Sequence, residues 1–448
     1  GYWLESLAVE MSSGTPLKPY CNIVSSINQK RGKRMSSSAQ SVVSKSSIPT
    51  TSTQEKVSIL NQPRAVWAVF FACIIAFMGL GLVDPILTSI AKNLHASPSQ
   101  VSLLFTSYNA VMAVAMLITG SISSRIGMKW TLLLGVVIIG VFSALCGLSN
   151  DIWTLIGLRG GWGLGNALFV ATSLSAIVAL SKTNKAKAVI LYEASMGIGI
   201  AVGPLLGGWL GAISWRGPFL GVAALMVLAF VNLSILMPNS QNKNAVKAKT
   251  SILEPFRAMK HRSLVIFGVG ALLYNFGFFT ILAYAPFVLG LDAHGLGFVF
   301  LGWGVLLAFT SVFMAPRLQK FFGSIKAMII MLVLFALVLL IMGIWTSLQW
   351  VVIAAVIFSG ALIGNNNTLI TTAVMNASPV EQSTASATYS FLRFIGGVIS
   401  PFLAGKLSEW FNPHISFIVA AVFVGLSALF IGLNYQHVKH VDNVRAAH

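Results

Sequence analysis

Charge is what this chain has least of. Only 9% of its 448 residues are charged, and only 11 are acidic. A soluble domain of this size does not cover its surface with so few charges. Cysteine is scarce too. Cys21, Cys73 and Cys146 stand far apart with no CxxC pair, which argues against a disulfide framework and a zinc site. There is no Walker loop, so nothing points to ATP as the driving force. HExxH and GxSxG are missing, and the histidines are scattered or near the end of the chain, which argues against an embedded hydrolase. No potassium-filter sequence occurs. The chain therefore reads as a non-enzyme, with no cofactor and no metal.

What is present is apolar length. Hydrophobic residues make up 56% of the chain, and the mean hydropathy is +0.83. Runs of about 20 apolar residues recur, each long enough to cross a hydrocarbon core of ~30 Å. The fold class expected is an all-α polytopic membrane protein. Twelve spans are read near 65–90, 102–122, 131–149, 152–180, 187–212, 217–237, 263–288, 296–316, 326–345, 349–374, 383–408 and 414–434. The domain reading is a polar tail over 1–63, six spans in 64–237, a basic linker over 238–262, six spans in 263–436, and a tail over 437–448. In the first tail, eleven of the eighteen residues from Ser36 to Thr53 are Ser or Thr, a composition that favours disorder. Met35 follows the cluster Lys30, Arg31, Lys33 and Arg34 and is an alternative start, which makes 1–34 an extension.

The net charge of +18 invites a nucleic-acid partner. Its placement argues against one. Loops after spans 2, 4, 6, 8 and 10 carry fourteen Lys and Arg: Arg125, Lys129, Lys182, Lys185, Lys187, Lys243, Lys247, Lys249, Arg257, Lys260, Arg262, Arg317, Lys320 and Lys326. The alternate loops carry Lys92, Arg216 and Lys406. The loop after span 10 departs from the pattern, with Glu381 and no cation. The positive-inside rule then puts both termini in the cytoplasm of a plasma-membrane protein.

Residues 199–211 read Gly-Ile-Ala-Val-Gly-Pro-Leu-Leu-Gly-Gly-Trp-Leu-Gly. Gly199, Gly203 and Gly207 share one helix face, and Gly208 follows. Such a face lets a neighbouring helix approach closely, and Pro204 is expected to add a bend or weak point. Gly203–Leu210 also matches Ser400–Leu407 at an offset of 197, and Gly120-x-Ile-x4-Gly127 matches Pro316-x-Leu-x4-Gly323 at 196. Two matches at nearly one offset argue for duplication into two six-helix halves.

The chain resembles the major facilitator superfamily over residues 64–436. The fifth span is similar to the antiporter motif of its twelve-helix drug/proton antiporters, and the run from Leu191 to Gly199 resembles a bacterial multidrug-resistance subgroup that includes siderophore exporters. Gly120-Ser-Ile-Ser-Ser-Arg-Ile-Gly-Met-Lys129 is similar to the superfamily's loop between helices 2 and 3. Gly120, Arg125, Gly127 and Lys129 match, whereas Ser124 replaces an acid and Met128 a base. Arg159-Gly-Gly-Trp-Gly-Leu-Gly165 resembles the pattern of the fourth helix, with Trp162 in place of Gln. The resemblance implies proton-coupled efflux of small amphiphilic compounds by a monomer in the lipid bilayer. A dedicated exporter of a siderophore, lipid or metabolite is the nearest alternative. An uptake symporter and a non-transporting scaffold or receptor fit less well.

Charges within spans are costly, at least ~2.5–3.5 kcal/mol each near the bilayer centre. Asp84, Arg159, Glu193 and Arg393 therefore need an explanation. Asp84 and Arg159 fall at similar depth and are expected partners, either as a fixed ion pair or as a pair whose parting trades a proton. Glu193 has no cation one turn away on its own span. It is a candidate proton or cation site, or an interfacial acid paired with Lys182, Lys185 or Lys187. Arg393 either attracts an anionic group, neutralises Glu193 across the cavity, or reaches carbonyls. The proton-coupling set is thus Glu193, Asp84 and Arg159. The substrate-cavity set is Tyr108, Asn109, Tyr192, Asn275, Phe279, Asn366, Tyr389 and Arg393, an aromatic lining with few polar groups that suits amphiphiles of varied shape. Asn366 is chosen from Asn365, Asn366 and Asn367 because three in a row must place at least one inward.

Overall fold

The computed structural model describes residues 60–239, 251–377 and 379–443. The expected tail disorder before residue 60, the alternative start at Met35 and the middle of the basic linker lie outside them. Twelve helices among the described residues are long and apolar enough to cross a membrane: α1 (Arg64–Asn93), α2 (Pro98–Ile126), α3 (Met128–Leu148), α4 (Ile152–Leu180), α5 (Lys185–Ile213), α6 (Gly217–Leu236), α7 (Arg262–Ala283), α8 (Ala293–Phe322), α9 (Ser324–Ile344), α10 (Gln349–Ala377), α11 (Thr384–Trp410) and α12 (Pro413–Leu433). The described residues contain no strand. In lipid the backbone must satisfy itself, so apolar runs of this length fold as helices.

Local sequence sets where several helices start. Ser97 and Gln100 form a capping box at the head of α2. Asp151, Asn184, Asp292 and Asn412 accept the N–H of the residue three ahead, at the heads of α4, α5, α8 and α12. Each such cap is worth about 1 kcal/mol. Gly127 (φ 90°) alone joins α2 to α3, and Gly323 (φ 80°) alone joins α8 to α9. Only glycine adopts that backbone without strain, and the two turns stand at the 196-residue offset of the duplicated motif.

Packing sorts the helices. In the apolar windows of α1, α4 and α5, 72% of residues are buried inside the protein, against 28% for α6. The former make the interior and the latter faces lipid. The glycine face of α5 lies on α1. A methyl group at Gly199 would stand 2.5 Å from the Ile74 carbonyl oxygen, and one at Gly203 would stand 2.7 Å from that of Met78. Gly207 meets the Leu82 carbonyl still more closely. A second small-residue face of α5 meets α8 of the other half. Gly208 packs on Ala293, Pro204 on Gly297, Ala201 on Gly304, and Gly197 on Ala308.

Pro204 does not interrupt its helix. α5 runs as one helix from Lys185 to Ile213 with Pro204 inside it. The interruption is in α1, whose α-helix stops at Gly81 and resumes at Leu87 after a 3-10 turn at Asp84–Ile86. The Pro204 ring packs on Gly81, 2.9 Å from where a Cβ would sit, beside the Ile200 carbonyl at 3.2 Å. Proline frees that carbonyl of its usual helical partner, and α1 approaches and breaks at this level. α8 carries a π-turn at Thr310–Met314 just before Pro316, the kind of local adjustment that absorbs an intrahelical proline.

Candidate functional site

A narrow cavity lies at the centre, between α1, α2, α4 and α5 of one half and α7, α10 and α11 of the other. Its free volume is about 40 Å³, room for a few water molecules, so the side chains of the two halves close on one another here. Tyr108, Tyr192, Asn275, Phe279, Tyr389 and Arg393 line it, together with Glu193. Phe77, Met112, Asn166, Phe278, Thr371, Ser390 and Phe394 complete much of the wall. The surface is mostly aromatic and aliphatic.

Glu193 lies eight residues into α5, ~12 Å along its axis. It is fully buried. It forms no ion pair with Lys182, Lys185 or Lys187; the salt bridges among the described residues lie elsewhere. Its Oε1 accepts from Thr371 Oγ1 of α10 at 3.0 Å, across the two halves. Its Oε2 has no hydrogen-bond partner. Arg393 faces the same cavity without forming an ion pair to Glu193. Its Nη2 donates to Asn367 Oδ1 at 3.5 Å, and Asn275 Nδ2 donates to its carbonyl at 2.7 Å.

Three expectations are corrected. Asp84 and Arg159 do not form an ion pair. Both are buried, and neither carboxylate oxygen and none of the guanidinium nitrogens has a hydrogen-bond partner among the described residues. The Arg159 guanidinium instead lies over the rings of Tyr108 (4.6 Å) and Trp162 (4.1 Å), a cation–π arrangement. Tyr108 in turn accepts from Asn166. Asp84 sits in the 3-10 turn of α1, outside the cavity lining. Asn109 belongs to the α2–α11 seam. Its Nδ2 donates to the carbonyls of Phe105 (2.8 Å) and Gly397 (3.1 Å). Neither Asn366 nor Asn367 lines the cavity; among the three asparagines of α10, Asn367 is the one that reaches a lining side chain, its Oδ1 accepting from Tyr274 and from Arg393. One residue along a helix turns a side chain by about 100°. Thr371 was not anticipated, although it stands one turn beyond Asn367 on the same face of α10.

The motif residues of the α2–α3 turn lie outside this cavity. Lys129 Nζ donates to the Ser234 carbonyl at 3.0 Å and ties α3 to the end of α6. Arg125 is exposed. Gly120 has open space where a Cβ would sit.

The Major Facilitator Superfamily profile matches residues 69–292 and 287–446. The chain belongs to the Major Facilitator Superfamily. It is 51% identical to the multidrug efflux protein YfmO of Bacillus subtilis, over 89% of this chain and 99% of that one. It is 24% identical to the quinolone resistance protein NorA of Staphylococcus aureus, over 83% of this chain and 96% of that one. Among solved structures it is similar to a bacterial homologue of the human lysosomal transporter Spinster, in an inward-facing and unoccupied conformation, with a TM-score of 0.66, 16% identity and coverage of 84% and 97%. The human organic anion transporter MFSD10 gives the same TM-score and identity, with coverage of 82% and 99%. The fold is thus the twelve-helix major facilitator fold in two six-helix halves, that of a multi-pass membrane transporter and not of an enzyme.

Proposed function

We propose that the chain is a proton-driven exporter of small amphiphilic drugs or toxic compounds, working as a monomer in the plasma membrane with both termini in the cytoplasm. The observation that carries this reading is Glu193. It is a carboxyl buried ~12 Å into α5, lining the cavity between the halves, with one oxygen bonded to Thr371 and the other unpartnered. An intramembrane acid so placed exchanges a proton when one half moves against the other and admits water. Asp84 and Arg159 form a second buried charge site in the first half and supply a further proton position. The multidrug efflux and quinolone resistance proteins among the relatives support the substrate class. The fourteen-to-three distribution of Lys and Arg supports the orientation.

The test is dye efflux from cells expressing the chain, with and without a proton uncoupler. Active efflux that stops with the uncoupler is expected. Efflux that continues against a gradient in its presence contradicts proton coupling.

A further inference from the structure

A second free volume, about 510 Å³, lies between α9 and α10. All nine side chains that line it are hydrophobic. It exists because α10 presents Ala354 and Ala355 where Val351 and Phe358 stand a turn to either side. Buried Val338 and Ala355 form its floor, and Ile341, Trp350 and Phe358 form its exposed rim. The groove is continuous with the lipid-facing surface, since Leu337, Leu340 and Ile344 of α9 are exposed beside it. α10 contains no charged residue, and Lys326 at the far end of α9 is the one charge of that span. Trp345 and Trp350 stand at one end of the groove, where α9 stops and α10 starts. Span ends meet the membrane–water interface, the level at which tryptophan is enriched. From Trp350 to Phe358 is ~12 Å along the helix axis, close to the depth of one leaflet of a ~30 Å hydrocarbon core.

Water finds no polar side chain in this groove and does not stay there. A void forfeits the contacts of every side chain around it. A second span packs where small or polar residues let backbones approach, and this rim is bulky. A flexible hydrocarbon chain meets all three conditions. A methylene takes up about as much space as a water molecule, ~30 Å³, so the volume holds on the order of fifteen of them. We propose that the α9–α10 groove binds one acyl chain of a phospholipid, in the outer leaflet on the proposed orientation. The chain runs from the two tryptophans down to Val338 and Phe358, with Trp345 and Trp350 at the ester and glycerol level of the same lipid. Held there, it braces the first half of α10, the helix whose second half carries Asn367 and Thr371. This holds whatever the central cavity carries.

The experiment places the full chain in vesicles of phosphatidylethanolamine and phosphatidylglycerol. A phosphatidylethanolamine probe is added that carries a photoreactive diazirine on one acyl chain, either near the glycerol or at the terminal carbon. After illumination the labelled residues are mapped by mass spectrometry. The near-glycerol probe is expected on Trp345 and Trp350, and the terminal probe on Val338 and Phe358. Labelling there should exceed that of Val227 and Val231, exposed on lipid-facing α6, by about tenfold, the ratio that ~1.4 kcal/mol of preference gives. Ala354 is exposed, so Ala354→Phe fills the groove from the lipid side. It should keep the thermal midpoint while labelling of the groove falls to the α6 level. Ala224→Phe, at an exposed position of α6, should leave groove labelling unchanged. Equal labelling of groove and α6 in the unmodified protein overturns the proposal, and that comparison needs no variant to fold. Groove labelling that persists in Ala354→Phe overturns it too. So does labelling that a cationic dye displaces, which makes the groove a substrate site, and so do cross-linked dimers joined through the groove, which make it a contact between copies.

Discussion

The backbone N–H of Ser99 donates to Glu409 Oε1 at 3.3 Å, joining the head of α2 in one half to the tail of α11 in the other. Lys406 holds the same carboxylate through Oε2 at 2.9 Å. Gly405 packs on Ser99 so tightly that a Cβ there would lie 2.8 Å from the Ser99 Cα. On the proposed orientation this is the outer face, and the contact closes it. Gly405→Ala should therefore push the two ends apart at a cost of about 1–3 kcal/mol, lowering the thermal midpoint and raising the reactivity of a cysteine placed at Ser99 towards a membrane-impermeant thiol reagent. Unchanged reactivity at that cysteine would show that this contact does not close the outer face.

Gly203 tests the α5–α1 seam. A methyl group there would stand 2.7 Å from the Met78 carbonyl oxygen. Overpacking of this kind costs about 1–3 kcal/mol. Gly203→Ala should lower the thermal midpoint of the purified protein and depress efflux, and Gly203→Val should do both more severely. Gly120→Ala, which enters open space, serves as the control and should leave the midpoint nearly unchanged.

The contrast between Asn109 and Asn367 separates seam from site. Asn109→Ala removes two hydrogen bonds between α2, its own turn and α11. It should cost about 1 kcal/mol of stability per bond while leaving the relative KM values of a substrate panel unchanged. Asn367→Ala frees the Arg393 guanidinium from its tether and should reorder that panel. The same order of substrates in both variants would place Asn367 outside the site.

These two residues also mark how far sequence reasoning reaches. All twelve spans were legible, with ends within six residues, because lipid leaves an apolar run no alternative to a helix. The close-packing role of Gly199, Gly203 and Gly207 was legible too, since a four-residue spacing selects one face whatever lies opposite. Which of Asn365, Asn366 and Asn367 serves the site was not, because neighbouring positions differ by about 100° and the choice depends on how α10 is rotated in the bundle. The pairing of Asp84 with Arg159 was argued from position along the helices alone. It was blind to the break in α1 and to the rings of Tyr108 and Trp162 that cover the guanidinium. The site depends on contacts between residues as far apart as Glu193 and Thr371, which no local pattern announces.

Thr371 gives a test of that long-range contact. Thr371→Val keeps the shape of the side chain and removes the only protein hydrogen-bond donor seen on Glu193 among the described residues. The protein should accumulate in normal amount, and the pH profile of transport should shift relative to the unmodified chain. Thr371→Ser retains the hydroxyl and should restore the profile. A Thr371→Val profile that overlays the original would remove Thr371 from the coupling site.

The central claim is that Glu193 carries the coupling proton, and one measurement addresses it most directly. Purified Glu193→Gln protein in proteoliposomes is compared with the unmodified chain in two modes: substrate accumulation driven by an imposed pH gradient, and exchange of labelled for unlabelled substrate without a gradient. The account predicts that Glu193→Gln loses gradient-driven accumulation and keeps exchange. Accumulation at the unmodified rate by Glu193→Gln would contradict it.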